Sequence, residues 1–179
     1  GGAGDQCQFS QQLRAGDFDV RVRLDDLSLA DACSEAGLMV RENLTAGARF
    51  AGVLATPSIS GAFFESRATL GGTATRAGSF PVNYPNTWLR LKRTGSVFSG
   101  FAGFDGLNWS PLGSVTLGLP TSVYLGLAVA SRDTNQLSTA AFRDLSPVTA
   151  VGTNLPPQVE PLGQCSRRTS LVISEIMYH

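Results

Sequence analysis

Histidine and charge are what this sequence has least of. Its one histidine is the final residue, His179, and Asp, Glu, Lys and Arg together make up only 16% of 179 residues. A single terminal histidine excludes a Ser/His/Asp triad in the body of the chain and a zinc site built from Cys and His. Basic and acidic residues balance at 14 each, for a formal net charge of zero. Neutralising a phosphate backbone needs a basic surplus, so nucleic acid is excluded as an expected partner and an anionic membrane surface gains no support. No segment approaches the roughly 18 consecutive apolar residues of a membrane span. Gly1–Asp5 has neither the basic stretch nor the apolar core of a leader peptide. Cysteine is scarce and odd in number, with Cys7, Cys33 and Cys165 and no CxxC pair. One disulfide plus a spare thiol would suit an exported protein, and three reduced thiols the cytosol.

What is abundant is glycine, at 20 residues, with 42% hydrophobic residues. Low charge and many glycines favour a turn-rich β fold. Alternation of period two dominates. In Asp17–Leu27, Phe18, Val20, Val22 and Leu24 fall on one face and Asp19, Arg21, Arg23 and Asp25 on the other, the pattern of a strand with one wet face. The preceding run Gln6–Arg14 ends at Ala15-Gly16-Asp17, a turn signal that predicts a hairpin between the two. Further strands are expected at Gly37–Asn43, Arg49–Thr56, Ala62–Thr69, Thr87–Thr94, Val97–Phe104, Asn108–Leu112, Ser122–Ser131 and Leu137–Leu145. Short strands separated by turn signals at this spacing predict an all-β antiparallel sandwich. Very little helix is expected, at most one turn in Ser28–Glu35. After Leu145 the chain turns proline-containing, with Pro147, Pro156, Pro157 and Pro161, and 146–169 reads as a linker. Ser170–His179 (SLVISEIMYH) then begins a new strand, as if the chain stops just inside a following domain.

The succession GDFDVRVRLDDL (16–27), AGLMVRENL (36–44), WLRLKRTGSVFSGFAGFDGLNW (88–109), VYLGLAVAS (123–131) and AAFRDL (140–145) resembles bacterial laminin-G-like domains of the concanavalin A-like lectin/glucanase superfamily. The resemblance implies a two-sheet jelly roll over 1–145. SRRTSLVISEIMYH (166–179) is similar to the opening of a lamin-tail-type domain, so 170–179 would be its truncated first strand. Together these imply a secreted or cell-surface, multidomain bacterial parent. Relatives carry another strand or two upstream, so the first strand of the sandwich would be missing here. They also have aromatic residues where this chain has Cys7 and Cys33. The paired replacement suggests a Cys7–Cys33 bridge, with two small buried thiols as the alternative.

The superfamily includes glycoside hydrolases, which need two carboxyl groups about 5 Å apart for retention. No strand supplies such a pair. Glu65 stands alone on its strand, Asp17 and Asp19 sit at a strand end among Arg21 and Arg23, and Glu42 neighbours Arg41. No catalytic residue is therefore assigned. No DxDxD run suggests calcium; scattered Asp31, Asp105, Asp133 and Asp144 neither support nor exclude one weak structural ion. No cofactor is expected.

The expectation is a non-catalytic module that binds a glycan or a cell-surface protein; the alternatives are a spacer without a ligand and, last in order, an atypical glycoside hydrolase. Trp88 shares a strand face with Arg90 and Lys92, where it would either stack on a sugar or cover the stem of Arg90 under a loop. Phe63, Glu65 and Arg67 share a face, and Tyr124 lies opposite the apolar set of its strand. Trp88, Arg90, Tyr84, Tyr124, Phe63, Glu65 and Arg41 are the candidate ligand-binding residues, expected in one aromatic and charged groove. Asp105-Gly106 is read as a hairpin turn under Trp109.

Overall fold

In the computed structural model, residues 7–148 are described, apart from 59 and 134. Eleven strands follow in order: β1 Gln8–Ala15, β2 Phe18–Leu27, β3 Glu35–Arg41, β4 Phe50–Ala55, β5 Ala62–Arg67 and β6 Thr75–Phe80; then β7 Thr87–Thr94, β8 Val97–Gly103, β9 Ser110–Thr116, β10 Ser122–Ala130 and β11 Ala140–Pro147. Among the described residues there is no helix; Ser28–Ser34 is a loop closed by a turn from Asp31 to Ser34. β3 begins at Glu35, at the end of the Ser28–Glu35 stretch that the sequence allowed at most one helical turn.

The strands form two antiparallel sheets. One has six strands in the order β1-β10-β3-β4-β5-β6, the other five in the order β11-β2-β7-β8-β9. The alternation seen in the sequence is the alternation of core and surface. Phe18, Val22 and Leu24 of β2 and Leu89 and Leu91 of β7 face Leu38 and Val40 of β3, Val53 of β4 and Phe64 of β5 across one shared core. Gly100 of β8 and Gly113 of β9 leave room for the Phe64 ring, which would crowd a side chain at either place.

Two local features depart from the sequence reading, each for its own reason. β1 and β2 are not a hairpin: β1 pairs with β10 in one sheet, β2 with β7 and β11 in the other. The turn at Ala15-Gly16-Asp17 carries the chain between the sheets, with Gly16 at φ 73° donating its N–H to the Thr121 carbonyl. β6 was not foreseen at all, because TRAGSF has no alternation and lies exposed along a sheet edge. β11 reaches Pro147, and the linker and following strand expected at 146–169 and 170–179 otherwise lie outside the described residues.

Candidate functional site

The expected groove does not exist as one surface, because its residues lie on opposite sides of the sandwich. Trp88 and Arg90 of β7 point away from the core on the five-stranded sheet. Trp88 is opposite Arg23 and Arg90 opposite Arg21. The Arg21 guanidinium lies 5.4 Å from the Trp88 ring centre and donates a 2.5 Å hydrogen bond to the Gly106 carbonyl. Gly106, at φ 69°, is pressed so close that a Cβ there would sit 2.9 Å from the indole. The Asp105–Asn108 turn therefore covers Trp88. Arg90 makes two bonds to Asp19, at 2.8 and 2.7 Å, and stacks between Phe101 and Trp109 at 5.0 and 5.5 Å. Trp88 is thus covered by a turn and by guanidinium groups, and Arg90 is paired with Asp19, within the protein.

Tyr84 belongs to neither face. It packs against the core from the loop before β7, and its hydroxyl donates to the Thr56 carbonyl at 2.7 Å. Burial, helped by the Asp26 charge, holds its pKa well above the ordinary phenol value.

The remaining four candidates, Arg41, Phe63, Glu65 and Tyr124, do share a surface, the outer face of the six-stranded sheet. Strand register arranges that face in rows. One row reads Gln11, Gly126, Met39, Gly52, Glu65, Arg76; the next reads Leu13, Tyr124, Arg41, Phe50, Arg67. Gly126 of β10 has no room for a side chain: a Cβ there would meet the Ser10 carbonyl oxygen of β1 at 2.0 Å. Phe63, Glu65 and Arg41 are all buried.

Three residues that the sequence reading did not single out organise one half of this face. Glu35, only 4% exposed, receives both oxygens' bonds from Arg132 at 2.8 and 2.9 Å and an ion pair from Arg76. Arg76 also bonds Glu65 at 3.1 Å and lies 4.3 Å from the Phe63 ring centre. The two carboxylates are thus tied together through one guanidinium laid over an aromatic ring. Nearby charges raise the Arg76 pKa further, against the opposing effect of its partial burial. No sequence signal marks this cluster, since its members are up to 97 residues apart.

The other half is open. Cys7, just before β1, and Phe9 and Gln11 of β1 line a cavity of about 280 Å³ with Arg41 from the end of β3 and Leu44 and Ala46 from the loop that follows. Arg41 is set by that loop: its guanidinium donates to the carbonyls of Asn43 at 3.3 Å and Thr45 at 2.7 Å. The loop is itself closed by Asn43, whose carboxamide oxygen accepts from the Thr45 N–H at 2.9 Å. Phe9 and Gln11 are cavity residues missed in the sequence, although their shared parity with Cys7 was available.

Cys7 is half-buried and Cys33 exposed, and among the described residues no disulfide joins them. Cys7 precedes β1 and Cys33 lies in the loop before β3, and β1 and β3 flank β10 on its two sides. Among the described residues no cluster of three or more Cys, His, Asp or Glu is poised to hold a metal, and no helix is long and apolar enough to cross a membrane.

This architecture defines the class, an all-β, two-sheet antiparallel jelly-roll sandwich. Among solved structures, it is similar to a functionally unknown protein from Saccharomyces cerevisiae, with TM-score 0.63 and 19% identity over 83% of this chain and 77% of that one. It also resembles the carbohydrate binding module CBM66 from Bacillus subtilis, with TM-score 0.53 and 17% identity over 79% and 80% of the two chains. A GH43 protein from Bacillus licheniformis, BlXynB, aligns with TM-score 0.58 and 11% identity, over 70% of this chain but only 26% of that one. At these identities the likeness is one of fold alone. No family model and no curated protein matches the sequence.

Proposed function

We propose that this chain is a non-catalytic carbohydrate-binding module of the laminin-G-like kind, carried in a larger exported bacterial protein and displayed outside the cell. The observation that carries the reading is the cavity of about 280 Å³ on the outer face of the six-stranded sheet. A sugar ring presents C–H faces and a rim of hydroxyls, and a small site that mixes apolar walls with fixed polar groups matches both. Here Phe9 and Leu44 supply apolar wall and Gln11 an amide that donates and accepts. The backbone carbonyls that hold Arg41 fix that side of the wall in advance. A fold shared with a carbohydrate binding module over most of both chains supports the reading. The laminin-G-like motifs and the lamin-tail-like run at 166–179 support the exported, multidomain setting.

The two buried acids of this face support the non-catalytic reading. Glu35 and Glu65 are both engaged by Arg76, and Glu35 by Arg132 as well. A hydrolase needs one carboxyl group to deliver a proton and the other to attack or to activate water, and here both carboxyl groups are bonded to guanidinium groups.

A glycan array probed with the wild-type chain, Gln11→Ala, Leu44→Ala and Trp88→Ala tests the proposal. Binding that weakens about tenfold or more in the first two variants and survives in the third is expected. Loss only in Trp88→Ala would move the site to the opposite face. No binding to any glycan would leave a spacer that sets the distance between neighbouring domains. Polysaccharide hydrolysis abolished by Glu65→Gln would overturn the non-catalytic reading.

A further inference from the structure

A loop that walls a cavity helps binding only while it is in place, and time spent elsewhere lowers the apparent affinity in proportion. The loop 42–49 joins β3 to β4 and brings Leu44 and Ala46 to the cavity. Its one large apolar side chain, Leu44, is 55% exposed, so burial of apolar surface does not anchor the tip. Polar contacts hold it instead. The carbonyls of Asn43 and Thr45 accept from Arg41, and those of Ala46 and Ala48 accept from Arg67 at 3.2 and 3.3 Å. The Gly47 carbonyl accepts from the Gly71 N–H at 2.8 Å.

The base of the loop is closed by a different device. Glu42 donates its N–H to the Arg49 carbonyl at 3.2 Å. Its carboxylate accepts from the Arg49 N–H at 3.0 Å through Oε1, and through Oε2 from the Arg49 guanidinium, with Nε at 2.8 Å and Nη2 at 2.6 Å. The first and last residues of the loop are therefore joined by main chain and side chain together. Nη2 also donates to the Gly118 carbonyl at 3.3 Å, which ties this base to the connection between β9 and β10. The charge that Glu42 answers is thus Arg49, seven residues on. Hydrogen bonding from Arg49 holds the Glu42 carboxyl below its ordinary pKa, so the pair stays ionised at neutral pH. Neither residue lines the cavity, so any effect on a ligand must pass through the loop.

We infer that Glu42, through its pairing with Arg49 across the base of the 42–49 loop, is a positioning residue that holds Leu44 and Ala46 in the cavity wall before a glycan arrives. The positioning of the loop stands on geometry alone; its consequence for affinity rests on the glycan-binding reading. With the clip removed, a loop in place about one-tenth of the time binds about tenfold more weakly.

Amide hydrogen exchange and a glycan array titrated over a series of protein concentrations, both in the cold and far below the unfolding transition, test the inference. The full chain is compared with Glu42→Ala, Glu42→Gln and the exchanged pair Glu42→Arg/Arg49→Glu. In Glu42→Ala, exchange at Thr45 and Ala48, whose N–H groups are bonded within the loop, is expected to quicken at least about tenfold while β2 and β7 keep their rates. The half-saturating concentration on the array rises about tenfold in the same variant. Glu42→Gln, which keeps an acceptor for the Arg49 N–H, falls between, and the exchanged pair recovers part of the lost affinity. A merely structural Glu42 would lower Tm and leave half-saturation in the cold unmoved, which overturns the inference. Unchanged exchange in the loop of both single variants overturns it as well. A wild-type chain that binds no glycan would sink the glycan reading instead, and the clip would then stand or fall on the exchange rates.

Discussion

Gly100→Ala probes how the two sheets face each other. Gly100 lies on the core side of β8, and a Cβ built there falls 2.5 Å from Cδ2 of Phe64 and 2.6 Å from Cγ2 of Val53, both on the opposite sheet. Its φ is not in the left-handed region, so an alanine is tolerated by the backbone and, taken alone, would stabilise by about 0.4–1 kcal/mol through the unfolded chain. Overpacking acts in the other direction. Phe64 and Val53 are fully enclosed and neither can swing clear, so the added methyl should cost about 1–3 kcal/mol. Packing wins, for a net loss of about 1–2 kcal/mol. For a domain of this size that is a fall in Tm of roughly 3–8 °C, read by calorimetry or by circular dichroism during heating. The double variant Gly100→Ala/Phe64→Leu should recover part of the loss, with a coupling of about 1 kcal/mol. A raised Tm in Gly100→Ala, or strictly additive effects in the pair, would refute the facing of β8 against β4 and β5.

Other expectations follow from the same coordinates. Gly106→Ala puts a methyl against the Trp88 indole at a left-handed position, so thermal stability falls and tryptophan fluorescence shifts, while glycan binding is untouched. Glu35→Gln leaves Arg76 and Arg132 facing a neutral group; because both guanidiniums are partly wet, the cost is on the order of 1–3 kcal/mol in chemical denaturation, not the larger value of a fully buried pair. Asp105 accepts from the N–H groups of Asn108 and Leu107, and these bonds first, with the Asn108 side chain, hold its pKa down at about 2 against an ordinary 3.8. Its contribution to stability is therefore complete above about pH 4 and is lost as pH falls through 2. NMR titration of the Asp105 carboxyl carbon checks the midpoint, and Asp105→Asn should remove that part of the acid sensitivity.

Much of the fold was legible because half-buried strands write their two faces into alternate residues. β2, β7 and β10 were found this way, and the parity within each held: Trp88 goes with Arg90, Phe63 with Glu65, and Tyr124 opposes Val123 and Leu125. What alternation cannot carry is which sheet a strand joins. β7 pairs with β2 while β5 pairs with β4, so Trp88 and Phe63, grouped in one groove from their character, look out from opposite sides of the sandwich. The same gap explains the hairpin expected between β1 and β2, since a glycine turn inside a sheet and one between sheets share a local signature. Glu35, Arg76 and Arg132 were invisible for a related reason. Each is an ordinary charged residue in its own segment, and only the long-range register of β3, β5 and β6 with the β10–β11 loop brings their charges together.

Assigned amide shifts of the isotope-labelled chain, followed while a glycan identified on the array is added, test the central claim most directly. The account predicts saturable changes at Phe9, Gln11, Arg41, Leu44 and Ala46, with Trp88, Arg90 and Trp109 unmoved. Changes confined to Trp88, Trp109 and the Asp105–Asn108 turn would contradict it.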